Sequence, residues 1–267
     1  MQLTASQVAE FERNGYLVLP HFISDSDCIA LRDHAAALED QLRSDLDHVT
    51  VFSAGDQAHG DDSWFLTSGD KTRGFFEDDG SSLNKIGHAM HDLDPVFNRF
   101  SRDLGFAEVA HSIGFDDPRL VQSMYIFKHP GVGGEVTWHT DHTFLWTQPR
   151  SVVGFWVAID DATVTNGCLW AIPGGHKIPV KSRFVRDGDS TVTHVFDDTP
   201  YPIEQAVSIE AKRGTLVLLD GALPHWSDIN TSEHPRQAYT LHVVEGAADW
   251  DESNWLQRPT MEFQGFS

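Results

Sequence analysis

In Trp138-His139-Thr140-Asp141 an imidazole and a carboxylate stand two residues apart, and side chains with that spacing share one side of an extended chain. Both can then reach a single cation. A second imidazole must come from elsewhere, and His225 is the candidate. It follows the apolar run Thr215 to Leu219 and the turn Asp220-Gly221-Ala222, on a rim where a loop can aim inward. Two histidines and one carboxylate on one side of an ion leave three positions open, the arrangement that suits non-haem Fe(II) chemistry with a bidentate co-substrate and dioxygen. On its own His-x-Asp is a weak pattern, because a chain with 15 histidines offers chance matches.

Two residues beyond His225 sharpen it. Ser227 can offer a hydroxyl, and Arg236, at the start of the next apolar run, can offer a two-pronged contact to a distal carboxylate. Metal ligands, hydroxyl and arginine together describe a site for 2-oxoglutarate. The plainer reading of Arg236 is a surface ion pair with one of many acids. A zinc hydrolase on the same three ligands would need neither Ser227 nor Arg236, and a metal-holding module that binds without turnover is the other alternative. His142, next to Asp141, should point to the opposite face of a strand and so away from the ion.

The bulk properties narrow the partners. Forty acidic against 19 basic residues give a net charge of -21, a field that repels nucleic acid and anionic membrane surfaces. A small-molecule substrate is expected instead. Only Cys28 and Cys168 are present, too few for a disulfide framework or a four-thiolate zinc site, so a reducing cytoplasm is the expected setting. The stretch MQLTASQVAEF lacks the basic and apolar regions of an export signal, and no run of about eighteen apolar residues suggests a membrane span.

The elements that must position the site are legible in outline. Thr4-x-x-Gln7 predicts a capped helix ended by Asn14-Gly15, followed by an edge strand over Tyr16 to Leu19. Ser24-x-x-Asp27 opens a second helix, with Cys28, Leu31, Ala35, Leu38 and Leu42 on one face. Ser44 to Gly80 reads as loops and short strands carrying Phe52, Trp64, Phe65, Phe75 and Phe76, and Ile86 to Phe106 as helix broken near Pro95. Beyond Asp116-Asp117-Pro118, short β-branched and aromatic runs predict strands over Val121–Lys128, Val152–Ile159, Gly167–Ile172, Val207–Glu210, Thr215–Leu219 and Gln237–Val244. Strands this short and this punctuated by turns imply a two-layered or closed β structure. The expectation is one mainly β domain over 1–267, with a helical and loop flank over 1–115 and the β core over 116–247.

Along nearly its whole length the chain resembles the phytanoyl-CoA dioxygenase family, and most closely the phytanoyl-CoA dioxygenase domain-containing proteins. The resemblance runs in order through FERNGYLVLPHFIS, WFLTSGDKTRGFFE, SLNKIGHAMHDLDPVF, VQSMYIFKHPGVGGEV, HTDHTFL, GFWVAIDDATVTNGCLWAIPGGHK, the His225 segment and RQAYTLHVVE. It implies a double-stranded β-helix with Fe(II) at His139, Asp141 and His225, and 2-oxoglutarate on Arg236 and Ser227. It also implies co-substrate contacts at Lys85, Met124 and Trp156, although core packing is the plainer role for the last two. The implied reaction consumes O2 and 2-oxoglutarate, releases succinate and CO2, and hydroxylates a substrate C–H bond. Trp138 and His142 depart from the residues common in relatives. His176 in IPGGHK is expected to order its loop by a hydrogen bond, and Asn166-Gly167 to form a turn. Lys71 and Arg73 can hold an anionic substrate group or pair with local acids such as Asp70 and Glu77, the preferred reading. The aromatic stretch Trp250 to Phe266 is expected to cover a sheet edge or a neighbouring subunit.

Overall fold

Helix α1 (Ala5–Asn14) begins and ends as its sequence predicts. The Thr4 hydroxyl accepts from the Gln7 N–H at 3.3 Å, and the Gln7 side chain accepts from the Thr4 N–H at 2.9 Å. Gly15 closes it in the left-handed region with φ 76°, where a residue without Cβ is favoured. The chain then enters β1 (Tyr16–Leu19) and α2 (Asp25–Ser44), which Ser24 caps by accepting from the Asp27 N–H at 3.1 Å. The structure, a computed structural model, describes residues 1–44 and 63–266, so Phe52 and much of the expected irregular stretch lie outside the described residues.

Next come α3 (Ser63–Leu66), β2 (Thr72–Phe76) and β3 (Leu83–His88). The last of these corrects the helical reading of Ile86 to Phe106. Ile86 to His88 complete a strand, because pairing on both sides, with β2 and with the strand after the helices, overrides local helical preference. Helix resumes only in α4 (Met90–Leu93), α5 (Pro95–Ser101) and α6 (Leu104–Ser112). The break at Pro95 is as expected. Pro95 takes the first helical position, and the Asp94 carboxylate accepts from Val96 and Phe97 N–H at 2.9 and 3.0 Å.

Strands then dominate: β4 (Pro118–Ile126), β5 (Val136–His139), the single turn α7 (Asp141–Phe144), β6 (Thr147–Gln148), β7 (Val153–Ala158) and β8 (Leu169–Ala171). They continue through the hairpin β9 (Ser182–Asp187) and β10 (Ser190–Val195), then β11 (Val207–Ile209), β12 (Leu216–Asp220), β13 (His225–Ser227), β14 (Ala238–Glu245) and β15 (Asp249–Trp250). All six expected strand runs are present. The hairpin and β13 were not anticipated.

A major sheet in the order β1-β12-β7-β14-β4-β3-β2 faces a minor sheet in the order β11-β8-β13-β5, the double-stranded β-helix that the resemblance implied. Three of the major sheet's strands, β1, β2 and β3, come from the expected flank. Alternation along the central strands divides two buried layers. Phe155, Val157, Leu216, Leu218, Tyr239 and Leu241 pack outward under the helices, while Trp156, Ala158, Val217, Leu219 and Ala238 meet the minor sheet. Burial on both faces explains why these strands read as unbroken apolar runs.

The C-terminal stretch runs along a sheet edge, as expected, with Gln264 bridging to Leu120 of β4. β15 pairs with β6, and Arg258 anchors the tail: its buried guanidinium pairs with Asp92, which Arg102 contacts at 2.5 Å. Burial alone would raise Asp92, but hydrogen bonds from His91, Arg258 and Arg102 outweigh it and hold the carboxyl below its ordinary range. Its folded value is depressed, so its stabilisation is complete above the ordinary carboxylate range and is lost as acid protonates the folded form. Arg258→Ala should cost about 2 kcal/mol in urea unfolding, because it removes one of the two guanidinium groups that pair with Asp92. The fall in stability between neutral pH and acid should shrink in that variant.

Candidate active site

Adjacent strands set the two histidines side by side. His139 ends β5 and pairs directly with His225 at the start of β13, which places their ring centroids 4.2 Å apart. His225 therefore lies on a strand, not on the loop expected from sequence, although the rim position was anticipated. Each ring donates from Nδ1 to a backbone carbonyl two residues back, His139 to Thr137 at 2.7 Å and His225 to Leu223 at 3.0 Å. A carbonyl can only accept, so the hydrogen sits on Nδ1 and each Nε2 presents a bare lone pair.

Asp141 is not on a strand. Extended Thr140 leads into the turn α7, and Asp141 is its first residue. Its Oδ1 lies 3.9 Å from His139 Nε2 and 3.8 Å from His225 Nε2. The donor atoms of the three residues all lie within 4.8 Å of one another, close enough to be drawn onto one first-row ion. Among the described residues, His139, Asp141 and His225 are the group whose donor atoms converge in this manner. Burial and then the neighbouring His225 push His139 down to about 4. Burial alone would raise Asp141, but His242, His225 and His139 outweigh it and keep the carboxyl below its usual range. At neutral pH the site offers neutral imidazole beside an ionised carboxylate, the forms that bind metal.

The second half of the site is a buried cation. Arg236 is 2% exposed, makes no ion pair among the described residues, and leaves Nε buried with no hydrogen-bond partner. This overturns the surface ion-pair reading. Its Nη2 donates to Ser227 Oγ at 2.9 Å, Ser227 donates to the Gly167 carbonyl at 2.9 Å, and the guanidinium lies 5.7 Å from the Trp156 ring. Burial pushes Arg236 down to about 10. A desolvated guanidinium held without a carboxylate is costly, and an incoming anion would offset that cost.

Arg236, Ser227, Lys85, Met124 and Trp156 all line one cavity of about 230 Å³ together with His139, Asp141 and His225. Lys85 is buried, and desolvation pushes its ammonium down to about 7, with Glu77 opposing. Trp156 also packs between the sheets, so its core and cavity roles coincide. The rest of the lining includes Phe65, Phe144, Phe184, Trp255, His88 and Gln122.

Other expected residues lie outside the cavity. Lys71 pairs with Asp70 at 3.2 Å, the preferred local reading, and Arg73 donates to the Trp64 carbonyl and to Thr67 Oγ1 at 2.7 Å. Trp138 stacks on Trp226. His142 belongs to the turn α7 instead of the far face of a strand, and it packs edge-on against Trp146. His176 meets the Glu12 carbonyl at 3.2 Å, the loop-ordering role expected of it.

His242, which belongs to no motif, also lines the cavity, with Nε2 3.4 Å from Asp141 Oδ2. The available signal was alternation: in Ala238-Tyr239-Thr240-Leu241-His242 every second residue faces inward. Lys128 was also missed. Its Nζ donates to the carbonyls of Gly134 at 2.7 Å and Ser227 at 3.2 Å, which steadies the strand that carries Ser227.

The family model described as Phytanoyl-CoA dioxygenase (PhyH) matches residues 11–238. The chain belongs to that family. It is 42% identical over 272 residues to a phytanoyl-CoA dioxygenase of Arabidopsis thaliana, covering 97% of this chain and 95% of that protein. It is 39% identical over 281 residues to phytanoyl-CoA dioxygenase domain-containing protein 1 of Mus musculus, covering 97% and 96%. Among solved structures, EctD from S. alaskensis with 2-oxoglutarate and 5-hydroxyectoine superposes with a TM-score of 0.68 at 23% identity, covering 93% of this chain and 78% of that one. PhyH membership bears out the resemblance and the expected class, a non-haem iron dioxygenase. No helix among the described residues is long and apolar enough to cross a membrane.

His225→Ala removes one of three converging donors and should abolish stoichiometric Fe(II) binding in anaerobic titration. His142→Ala, outside the donor group, should leave that stoichiometry intact.

Proposed function

We propose that the whole chain, 1–267, acts as one Fe(II)- and 2-oxoglutarate-dependent dioxygenase that hydroxylates a C–H bond of a small molecule, releasing succinate and CO2. The observation that carries this reading is the buried Arg236 guanidinium, with Ser227 bonded to it, lining the same cavity as His139, Asp141 and His225. Bound there, iron and 2-oxoglutarate supply dioxygen activation coupled to oxidative decarboxylation.

The chain's own residues prepare the site for that chemistry. His139 and His225 hold their Nε2 lone pairs steady because their Nδ1 hydrogens are tied to backbone. Arg236 and Ser227 take a carboxylate of the co-substrate, and Lys85 supplies a further cation. Met124 and Trp156, which line the same cavity, would contact the co-substrate too. No protein nucleophile or general base is needed, so the remaining task is to place one C–H bond and keep water out.

The substrate itself is read as apolar where it meets the wall of Phe65, Phe144, Phe184 and Trp255, with His88 as a polar contact. An anionic substrate group held by Lys71 and Arg73 is the weaker reading, since both are engaged outside the cavity.

Purified protein with Fe(II), O2 and 2-oxoglutarate should form succinate, and a stimulating small molecule should raise the rate. Bound iron without succinate would favour a binding module, and zinc dependence without oxygen uptake a hydrolase. Arg236→Met should weaken 2-oxoglutarate binding by about 2 kcal/mol, roughly thirty-fold. Lys85 loses its proton above about pH 7, so the neutral amine no longer attracts a carboxylate. The 2-oxoglutarate Kd should therefore rise with pH above that value, and Lys85→Met should flatten the rise.

A further inference from the structure

Three imidazoles surround the Asp141 carboxylate, and they present different faces to it. His139 and His225 tie their Nδ1 hydrogens to backbone carbonyls and turn bare Nε2 lone pairs toward Asp141 Oδ1. His242 does the reverse. Its Nε2 lies 3.4 Å from the other oxygen, Asp141 Oδ2, while its Nδ1 is buried with no hydrogen-bond partner. A buried N–H without an acceptor costs more than a buried lone pair among apolar neighbours, so the ring hydrogen belongs on Nε2, where Oδ2 can accept it.

The sheet makes room for this contact. His242 on β14 pairs directly with Gly154 on β7, and a Cβ at position 154 would come within 3.1 Å of Asp141 Oδ2. Glycine opposite histidine thus opens a slot that the carboxylate oxygen fills. Asp141 needs such support because it sits on an isolated helical turn, not in a sheet whose ladder would hold it.

We propose that His242 is a positioning residue for the metal centre, holding Asp141 Oδ2 in the slot beside Gly154 so that Oδ1 is kept for the ion. The inference rests on the metal reading given under the proposed function. It accounts for a buried histidine that lines the cavity yet is not among the converging donors.

Co(II) is the probe, titrated into the full-length chain without co-substrate and followed by its visible absorption, with thermal melting in parallel. His242→Ala should weaken Co(II) binding about 10- to 100-fold at unchanged stoichiometry, the usual effect of losing a residue that supports a ligand. His242→Gln keeps an N–H on a side chain of similar reach and should recover most of that loss, with a melting temperature matching the alanine variant. Gly154→Ala, which crowds Oδ2 from the other side, should weaken Co(II) in the same direction and serves if His242→Ala does not fold. Wild-type affinity in His242→Ala, with binding still lost in His225→Ala, would overturn the proposal, as would a glutamine variant no tighter than alanine. Absence of Co(II) binding by the wild type would instead defeat the metal reading beneath it.

Discussion

The direct pairing of His225 with His139 across β13 and β5 is the constraint on which the site depends. Residues opposite each other on adjacent strands carry side chains on the same face about 5 Å apart, so one register brings two imidazoles together. A slip of one residue would send one ring to the outer face, where Trp138 and Trp226 now stack. The backbone then finishes the arrangement, because the carbonyls of Thr137 and Leu223 select the ring tautomers. Asp141 joins only where the strand has ended, since the turn α7 swings its carboxylate back toward both rings.

The electrostatics inside run against those outside. A chain with net charge -21 keeps Arg236, Lys85 and Lys128 buried at one end of the sandwich. Lys128 is satisfied by backbone carbonyls, though burial and the nearby Arg236 push it down to about 7. Arg236 has a serine hydroxyl but, among the described residues, no carboxylate. Two cations that share a low-dielectric region destabilise each other, and a dicarboxylate is the kind of ligand that would relieve them. The aromatic lining, with the stacked Phe65 and Trp255, is held by the C-terminal tail that Arg258 fastens to Asp92. Ends of the chain far apart in sequence therefore meet at one cavity.

Much of this was legible in the residues. The capping of α1 and α2, the break at Pro95 and the six apolar strand runs follow from local chemistry and alternation, and the structure contains them. The converging donors and the arginine pocket were readable because the order of His139, Asp141, His225, Ser227 and Arg236 along the chain is distinctive. Strand β3 was misread as helix, since Ile86 to His88 acquire strand geometry from neighbours on both sides. Nothing in RQAYTLHVVE marks His242 as different from a core position.

The sequence by itself determined which side chains can bind a metal and an anion, and which runs must be buried on both faces. Residue type and spacing carry that information, and they act locally. Only the tertiary structure decided that His225 sits on a strand opposite His139, that Gly154 clears space for Asp141 beside His242, and that Arg236 is buried. Those outcomes depend on register between distant strands and on what is left unpaired when two sheets close, which no local pattern records.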